Sequence, residues 1–171
     1  MTVMLLDSYS LLFRAFHALP PMNTSLGQPT QALYGFSVLL LKLLREHGPQ
    51  GVAIARDLPG RTFRHAQYDA YKAGRVKAPG ELVSQLDLLE ELADAFGFPL
   101  FAAPGFEADD VLATLARHHA GLGRQVLLVS GDRDLLQLIA DHVEVLFVGQ
   151  RGKPPTRYDR TAASMRLRAC A

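Results

Sequence analysis

Val3-Met4-Leu5-Leu6-Asp7 is an apolar run that ends on a carboxylate, and Val52-Ala53-Ile54-Ala55-Arg56-Asp57 repeats the arrangement further along the chain. Short runs without polar alternation suit strands buried on both faces, as in a parallel sheet. Residues 99–102 (PLFA) and 126–129 (VLLV) read the same way, and 143–148 (VEVLFV) supplies a fifth strand. Between them, residues 32–46 place Phe36, Leu39, Leu40, Leu43 and Leu44 at helical spacing, closed by Gly48-Pro49. Pro79 opens a second helix with Leu82, Leu86, Leu89, Leu92 and Phe96 on its inner face, stopped by Gly97. A third begins at Glu107, turns Val111, Leu112 and Leu115 inward and is followed by Gly121. Strands alternating with helices predict an α/β fold: a three-layer sandwich around a mostly parallel twisted sheet of about five strands, with right-handed crossovers.

In an open parallel sheet the carboxyl ends of neighbouring strands meet at one crevice. Asp7, Asp57, Glu107, Asp109, Asp110, Asp132 and Asp134 all follow strands or open the helix after one, so the fold would crowd them together. Like charges about 4 Å apart repel by roughly 4 kcal/mol at an effective dielectric near 20, so the cluster needs a counter-cation or raised pKa values. Oxygen ligands without Cys or His suit Mg²⁺ or Mn²⁺ rather than zinc. Each acid also has an ordinary reading. Glu107, Asp109 and Asp110 can cap a helix and face its dipole, Asp132 or Asp134 can cap the helix expected near Leu135, and Asp7 and Asp57 can serve turns. The conjunction of separate segments at one sheet edge is what favours metal, and two ions about 3.5–4 Å apart would suit phosphodiester hydrolysis.

Two stretches depart from the alternation. Residues 20–30 (PPMNTSLGQPT) are a turn-rich loop before the first long helix. Residues 59–77 (PGRTFRHAQYDAYKAGRVK) are basic, aromatic and too polar for a core element, and a connection of that length in a compact domain is usually functional. Within it Lys72 offers a point charge for a scissile phosphate, Arg75 a fork for a phosphate oxygen and Tyr71 a stacking surface, with Arg61, Arg64 and Lys77 as further bases. Arg14 is another candidate phosphate contact. A solvated basic loop and a surface arginine are the plain alternatives.

Composition sets the frame. The 171 residues suffice for one ordinary domain, and 49% hydrophobic with 20% charged residues is normal for a globular one. A net charge of +1 hides the separation of acids from bases and identifies no partner. The single cysteine, Cys170, excludes an internal disulfide and points to a reducing compartment. No apolar run approaches the roughly 18 residues of a membrane span and no signal-peptide pattern opens the chain, so a cytoplasmic location is expected.

DSYSLLFRAFHALP from Asp7, YGF at Tyr34, RDLPGRTFRH from Arg56, YKAGR from Tyr71, GFEADDVLATLA from Gly105 and SGDRDLLQL from Ser130 occur in the order found in one family. The chain resembles the 5′-nuclease (5′ to 3′ exonuclease) domain of bacterial DNA polymerase I, in the flap endonuclease group, from the first strand to about Asp159. The resemblance implies a PIN-like fold and a domain over residues 1–159, with a helical arch or clamp insertion near 59–80. It further implies removal of DNA 5′ flaps or 5′ ends in replication and repair, and a polymerase domain in the full-length gene product. Asp7, Asp57, Glu107, Asp109, Asp110, Asp132 and Asp134 match the family's metal-binding acids. Lys72 and Arg75 match the basic pair of its arch, and Arg14 an arginine near the cleaved phosphate. The family pattern continues into a GDxSDN-type segment, with two further aspartates, and a helix-hairpin-helix-like element. Neither occurs here. Residues 160–171 (RTAASMRLRACA) read as an atypical basic, disordered tail, and Arg56 stands where the family has an apolar residue. A correctly folded core with an incomplete two-metal site and weak or absent activity is therefore expected. A receiver-type signalling domain leaves Glu107 to Asp110 unexplained, and a PIN-type ribonuclease lacks the arch segment. A degenerate DNA-binding remnant is the non-enzymatic alternative.

Overall fold

The computed structural model describes residues 1–68, 77–149 and 153–161. Its sheet has strands β1 (Thr2–Asp7), β2 (Gly51–Ala55), β3 (Leu100–Phe101), β4 (Gln125–Ser130), β5 (Val143–Phe147) and β6 (Thr156–Tyr158), in the order β3-β2-β1-β4-β5-β6. The first five run parallel and β6 returns antiparallel to β5. The sixth strand is one more than the sequence suggests, because the polar edge segment Thr156-Arg157-Tyr158 lacks the apolar run of a central strand.

Helices α1 (Ser8–Ala18), α2 (Gln31–His47), α3 (Phe63–Gln67), α4 (Gly80–Leu86), α5 (Leu89–Phe96) and α6 (Ala108–Gly121), with a 3₁₀ turn at Asp134–Leu138, complete the described elements. The strands explain their unbroken hydrophobicity. Met4, Leu6, Leu127 and Val129 pack with Leu11, Phe36, Leu40, Leu82 and Leu89 on one face of the sheet. Val3, Leu5, Val126 and Leu128 pack with Leu112, Ala116 and Leu135 on the other. Successive strand residues point to opposite faces, so each strand must be apolar throughout to serve both layers.

The structure adds one helix to the sequence reading and divides another. Asp7 ends β1 and also caps α1, accepting the Ser10 N–H at 3.3 Å, so a helix follows the first strand directly and carries Arg14. The single helix expected from Pro79 to Phe96 is two, broken at Asp87-Leu88, where Leu88 N–H donates to the Gln85 carbonyl at 3.3 Å. The break comes just after Gln85, which is fully buried and turned toward α2. Leu82 and Leu89 still reach the same core, so the periodicity survives the break.

The α1–α2 contact depends on Gly35. A Cβ there would lie 2.8 Å from Ala15 Cβ and 2.9 Å from a Leu19 methyl. Gly35→Val is expected to cost about 1–3 kcal/mol through overpacking, read as a lower denaturant midpoint at unchanged slope.

Candidate metal centre at the switch point

From β1 the chain winds outward to β2 and β3, then crosses back to the other side of β1 as β4. The crevice of such a sheet opens where the winding reverses, between the carboxyl ends of β1 and β4. Asp7 ends β1, Ser130 ends β4, and Asp132 follows it. The two ends are stitched by hydroxyls. Ser130 Oγ donates to Asp7 Oδ2 at 2.6 Å and accepts the Asp132 N–H at 2.8 Å, while Ser10 Oγ accepts the Gly131 N–H at 2.9 Å. Ser8, buried beside them, donates to the Ala55 carbonyl at 2.7 Å and ties β1 to β2. Sequence reasoning missed this serine frame. DSYS and SGD carry it, but only the parallel register of β1 and β4 shows that they meet.

Helix α6 brings the other acids. Glu107 is its N-cap and is buried, and Asp57 Oδ1 accepts the Ala108 N–H at 2.8 Å, so the end of the β2 segment closes on the start of the helix. Carboxylates at a helix N-terminus satisfy orphan N–H groups and face the positive end of the dipole. The ordinary capping role is therefore present, alongside a crowding that capping does not need. Burial, joined by the charges of Asp7, Asp132, Asp57 and Glu107, raises the Asp109 carboxyl from its ordinary 3.8 to about 7. Burial also raises Asp7, against hydrogen bonds from Ser10 and Ser130, with Asp57 adding to the rise.

Asp7, Asp57, Glu107, Asp109 and Asp132 thus share one electrostatic neighbourhood, delivered by four separate segments. Asp110 and Asp134 differ. Asp110 takes a two-pronged ion pair from Arg64, at 2.6 and 2.7 Å, and accepts the Glu107 N–H at 3.0 Å. Asp134 is exposed in the 3₁₀ turn, its N–H donating to Asp132 Oδ1 at 2.9 Å.

The expected bases are distributed less simply. Arg14 donates to the Gly131 and Gly149 carbonyls, with its guanidinium 5.3 Å from the Phe147 ring centre. It borders an open groove of about 580 Å³ with Asp132, Arg133, Lys153 and Tyr158. A Cβ on Gly131 would meet the far end of the Arg14 side chain, which would have to shift. Arg61 and Lys77 are exposed, and Arg61 donates to the His65 carbonyl at 3.2 Å. Arg56, the departure before Asp57, is turned aside to Glu90 at 3.4 Å and leaves the Asp57 carboxylate on α6. Tyr71, Lys72 and Arg75, and the tail from residue 162, lie outside the described residues.

Among the described residues no three carboxylates already stand close enough to share an ion. Their oxygens are held by serine hydroxyls, helix N–H groups and Arg64. The donor set nonetheless suits a hard divalent ion: it is all oxygen, and the crowding that raises Asp109 is what such an ion would relieve.

A profile described as the 5′-3′ exonuclease, N-terminal resolvase-like domain matches residues 2–167. The chain belongs to this 5′–3′ exonuclease family. DNA polymerase I of Deinococcus radiodurans is 46% identical over 145 residues, covering 85% of this chain and 15% of the polymerase. The chain therefore spans under a fifth of that relative's length. Among solved structures, the T5 D15 protein co-crystallised with metal ions superposes with a TM-score of 0.68 at 22% identity, over 93% of this chain and 58% of the other. The bacteriophage T5 flap endonuclease, in a pseudo-enzyme–product complex with DNA and metal ions, gives 0.60 at 22% identity over the same fractions. The exonuclease-family fold seen here is accordingly the PIN-like α/β sandwich, and the family is one of nucleases. No helix among its described residues is long and apolar enough to cross a membrane.

Proposed function

We propose that the chain is the metal-dependent core of a 5′-nuclease that hydrolyses phosphodiester bonds at DNA 5′ flaps or 5′ ends, in the cytoplasm, as part of replication and repair. The observation that carries the reading is the meeting of acid-bearing segments from β1, the β2 end, the start of α6 and the β4 loop, tied by the Ser130–Asp7, Asp132–Ser130 and Ala108–Asp57 hydrogen bonds, a crowding that also raises Asp109. Asp7, Asp57, Glu107, Asp109 and Asp132 would hold Mg²⁺ or Mn²⁺. Ions there would supply water of lowered pKa and stabilise charge on the departing oxygen.

The rest of the chemistry belongs to the protein. Ser130 and Ser10 orient Asp7, and the α6 N-terminus orients Asp57. Asp109 must give up its proton for the site to carry its full charge. Arg61 and Lys77, with Tyr71, Lys72 and Arg75 of the basic segment, would meet the phosphates and bases of a single-stranded 5′ end. Arg14, committed to two carbonyls, is better suited to holding the β4 and β5 loops together than to meeting DNA. A polymerase domain elsewhere in the gene product is the partner implied by the relatives.

Cleavage of a 5′-flap substrate is expected in Mn²⁺ or Mg²⁺ and none in EDTA. Calorimetry showing no divalent ion bound at millimolar concentration would leave only the DNA-binding remnant.

A further inference from the structure

We propose that Arg64 is a positioning residue for the acidic crevice, and that Asp110 is its seat rather than an ion ligand. The inference deepens the nuclease reading and rests on it for its connection with the ion.

The two guanidinium nitrogens of Arg64 meet the two oxygens of Asp110 at 2.6 and 2.7 Å, the planar fork-on-carboxylate geometry that lysine cannot reproduce. Asp110 Oδ2 also accepts the Glu107 N–H at 3.0 Å, so the carboxylate links Arg64 to the first turn of α6. Arg64 Nη1 is 3.6 Å from Glu107 Oε2, which places the same cation beside the buried N-cap acid. The start of α3 is fastened to the loop before α6 by two more contacts. Phe63 N–H donates to the Gly105 carbonyl at 2.9 Å, and the Phe63 and Phe106 rings lie 5.5 Å apart. The Arg64 guanidinium stands 4.6 Å from the Phe63 ring centre, which holds the fork from behind.

Asp109, the next residue on the helix, shares the electrostatic neighbourhood of Asp7, Asp132 and Asp57. Asp110, together with Glu107, anchors the turn that carries it. A ligand role for Asp110 would require breaking a two-pronged ion pair and surrendering a helix cap.

The experiment is Mn²⁺ titration and metal-free thermal melting of the full chain carrying Arg64→Gln, Asp110→Asn, both together, Arg64→Lys, and Asp109→Asn as reference. Metal-free, each of Arg64→Gln and Asp110→Asn should lower the melting temperature by about 4 °C. The double variant should fall no further than the worse single, and Arg64→Lys should not restore the loss. In the titration, Arg64→Gln should weaken Mn²⁺ binding about tenfold although it makes the site more negative, and Asp110→Asn and the double variant should match it. Asp109→Asn should lose about a hundredfold or more. Tighter Mn²⁺ binding in Arg64→Gln would show Arg64 to be a mere competing charge. A loss in Asp110→Asn as large as in Asp109→Asn would make Asp110 a ligand. Unchanged melting in Arg64→Gln with weakened DNA binding would make Arg64 a phosphate contact. Wild-type chain that bound no Mn²⁺ would sink the nuclease reading, and the melting cycle would still decide whether the pair holds α3 to α6.

Discussion

Asp109→Asn is expected to remove nuclease activity and, in the absence of metal, to make the protein more stable at neutral pH. The two effects share one cause. Asp109 is raised to about 7 by burial and by the Asp7, Asp132, Asp57 and Glu107 charges. Its folded-state pKa therefore lies above the unfolded value of 3.8, and between those two pH values the folded chain holds a proton at this site that the unfolded chain has lost. Fewer protons in the unfolded state mean that stability falls as pH rises through that window, and the loss is complete above about 7. Asparagine fills the same space without the charge. In EDTA, the variant should melt about 3–6 °C above wild type at pH 7.5, and the difference should vanish near pH 4. With Mn²⁺ the order should reverse, since an ion stabilises only the chain that can bind it. Flap cleavage should fall by about 10²–10³-fold. A variant that melts below wild type at pH 7.5 in EDTA would show that the carboxylates are not crowded.

Gln85→Leu carries the largest expected stability effect. Gln85 is fully buried in α4, and its Oε1 accepts the Ala32 N–H at 2.7 Å and the Leu33 N–H at 3.3 Å. Its amide nitrogen donates to the Glu81 carbonyl at 2.9 Å and to Gln31 Oε1 at 3.4 Å. Thr30, the N-cap of α2, provides no side-chain cap, so a glutamine from another helix closes the first turn of α2. Leucine has nearly the same volume and would ordinarily be favoured in a core. Here it would leave the buried Ala32 N–H and the half-buried Leu33 N–H without an acceptor, the buried one costing about 1–3 kcal/mol and the other less. The expected net loss is about 2–4 kcal/mol, read by denaturant unfolding, with Gln85→Glu losing less because an acceptor remains. A neutral result for Gln85→Leu would mean that water reaches the start of α2.

The backbone of the fold was legible because its signals are local. Val3 to Asp7 and Val126 to Ser130 are apolar at every position, which a strand needs when helices cover both sheet faces. The spacing of Leu82, Leu86, Leu89 and Leu92 marked the buried side of a helix even though the structure breaks that helix in two. The break itself was not legible, because its partner, the start of α2, is distant in sequence. The edge strand Thr156–Tyr158 was missed for a related reason: strands exposed on one side need no apolar run.

The candidate site divides in the same way. That acids cluster at strand ends was readable from the sequence alone, because parallel strands deliver their carboxyl ends to one edge whatever the loops do. Which acids share the crevice was not. Asp109 and Asp110 are adjacent aspartates on the same helical turn, yet one is raised by its neighbours and the other takes a two-pronged ion pair from Arg64. The carbonyls that Arg14 meets and the carboxylate that Arg64 meets come from distant segments, so the sequence alone does not show these contacts.

By itself the sequence determined the layered α/β architecture and the chemistry of the donors, since hydrophobic period and residue type act over a few positions. Only the tertiary structure decided which side chains keep their charge for an ion and which spend it on the protein. That choice depends on burial and on partners brought together from Arg64, Ser130 and α6, and electrostatic crowding is a property of distance in space rather than along the chain.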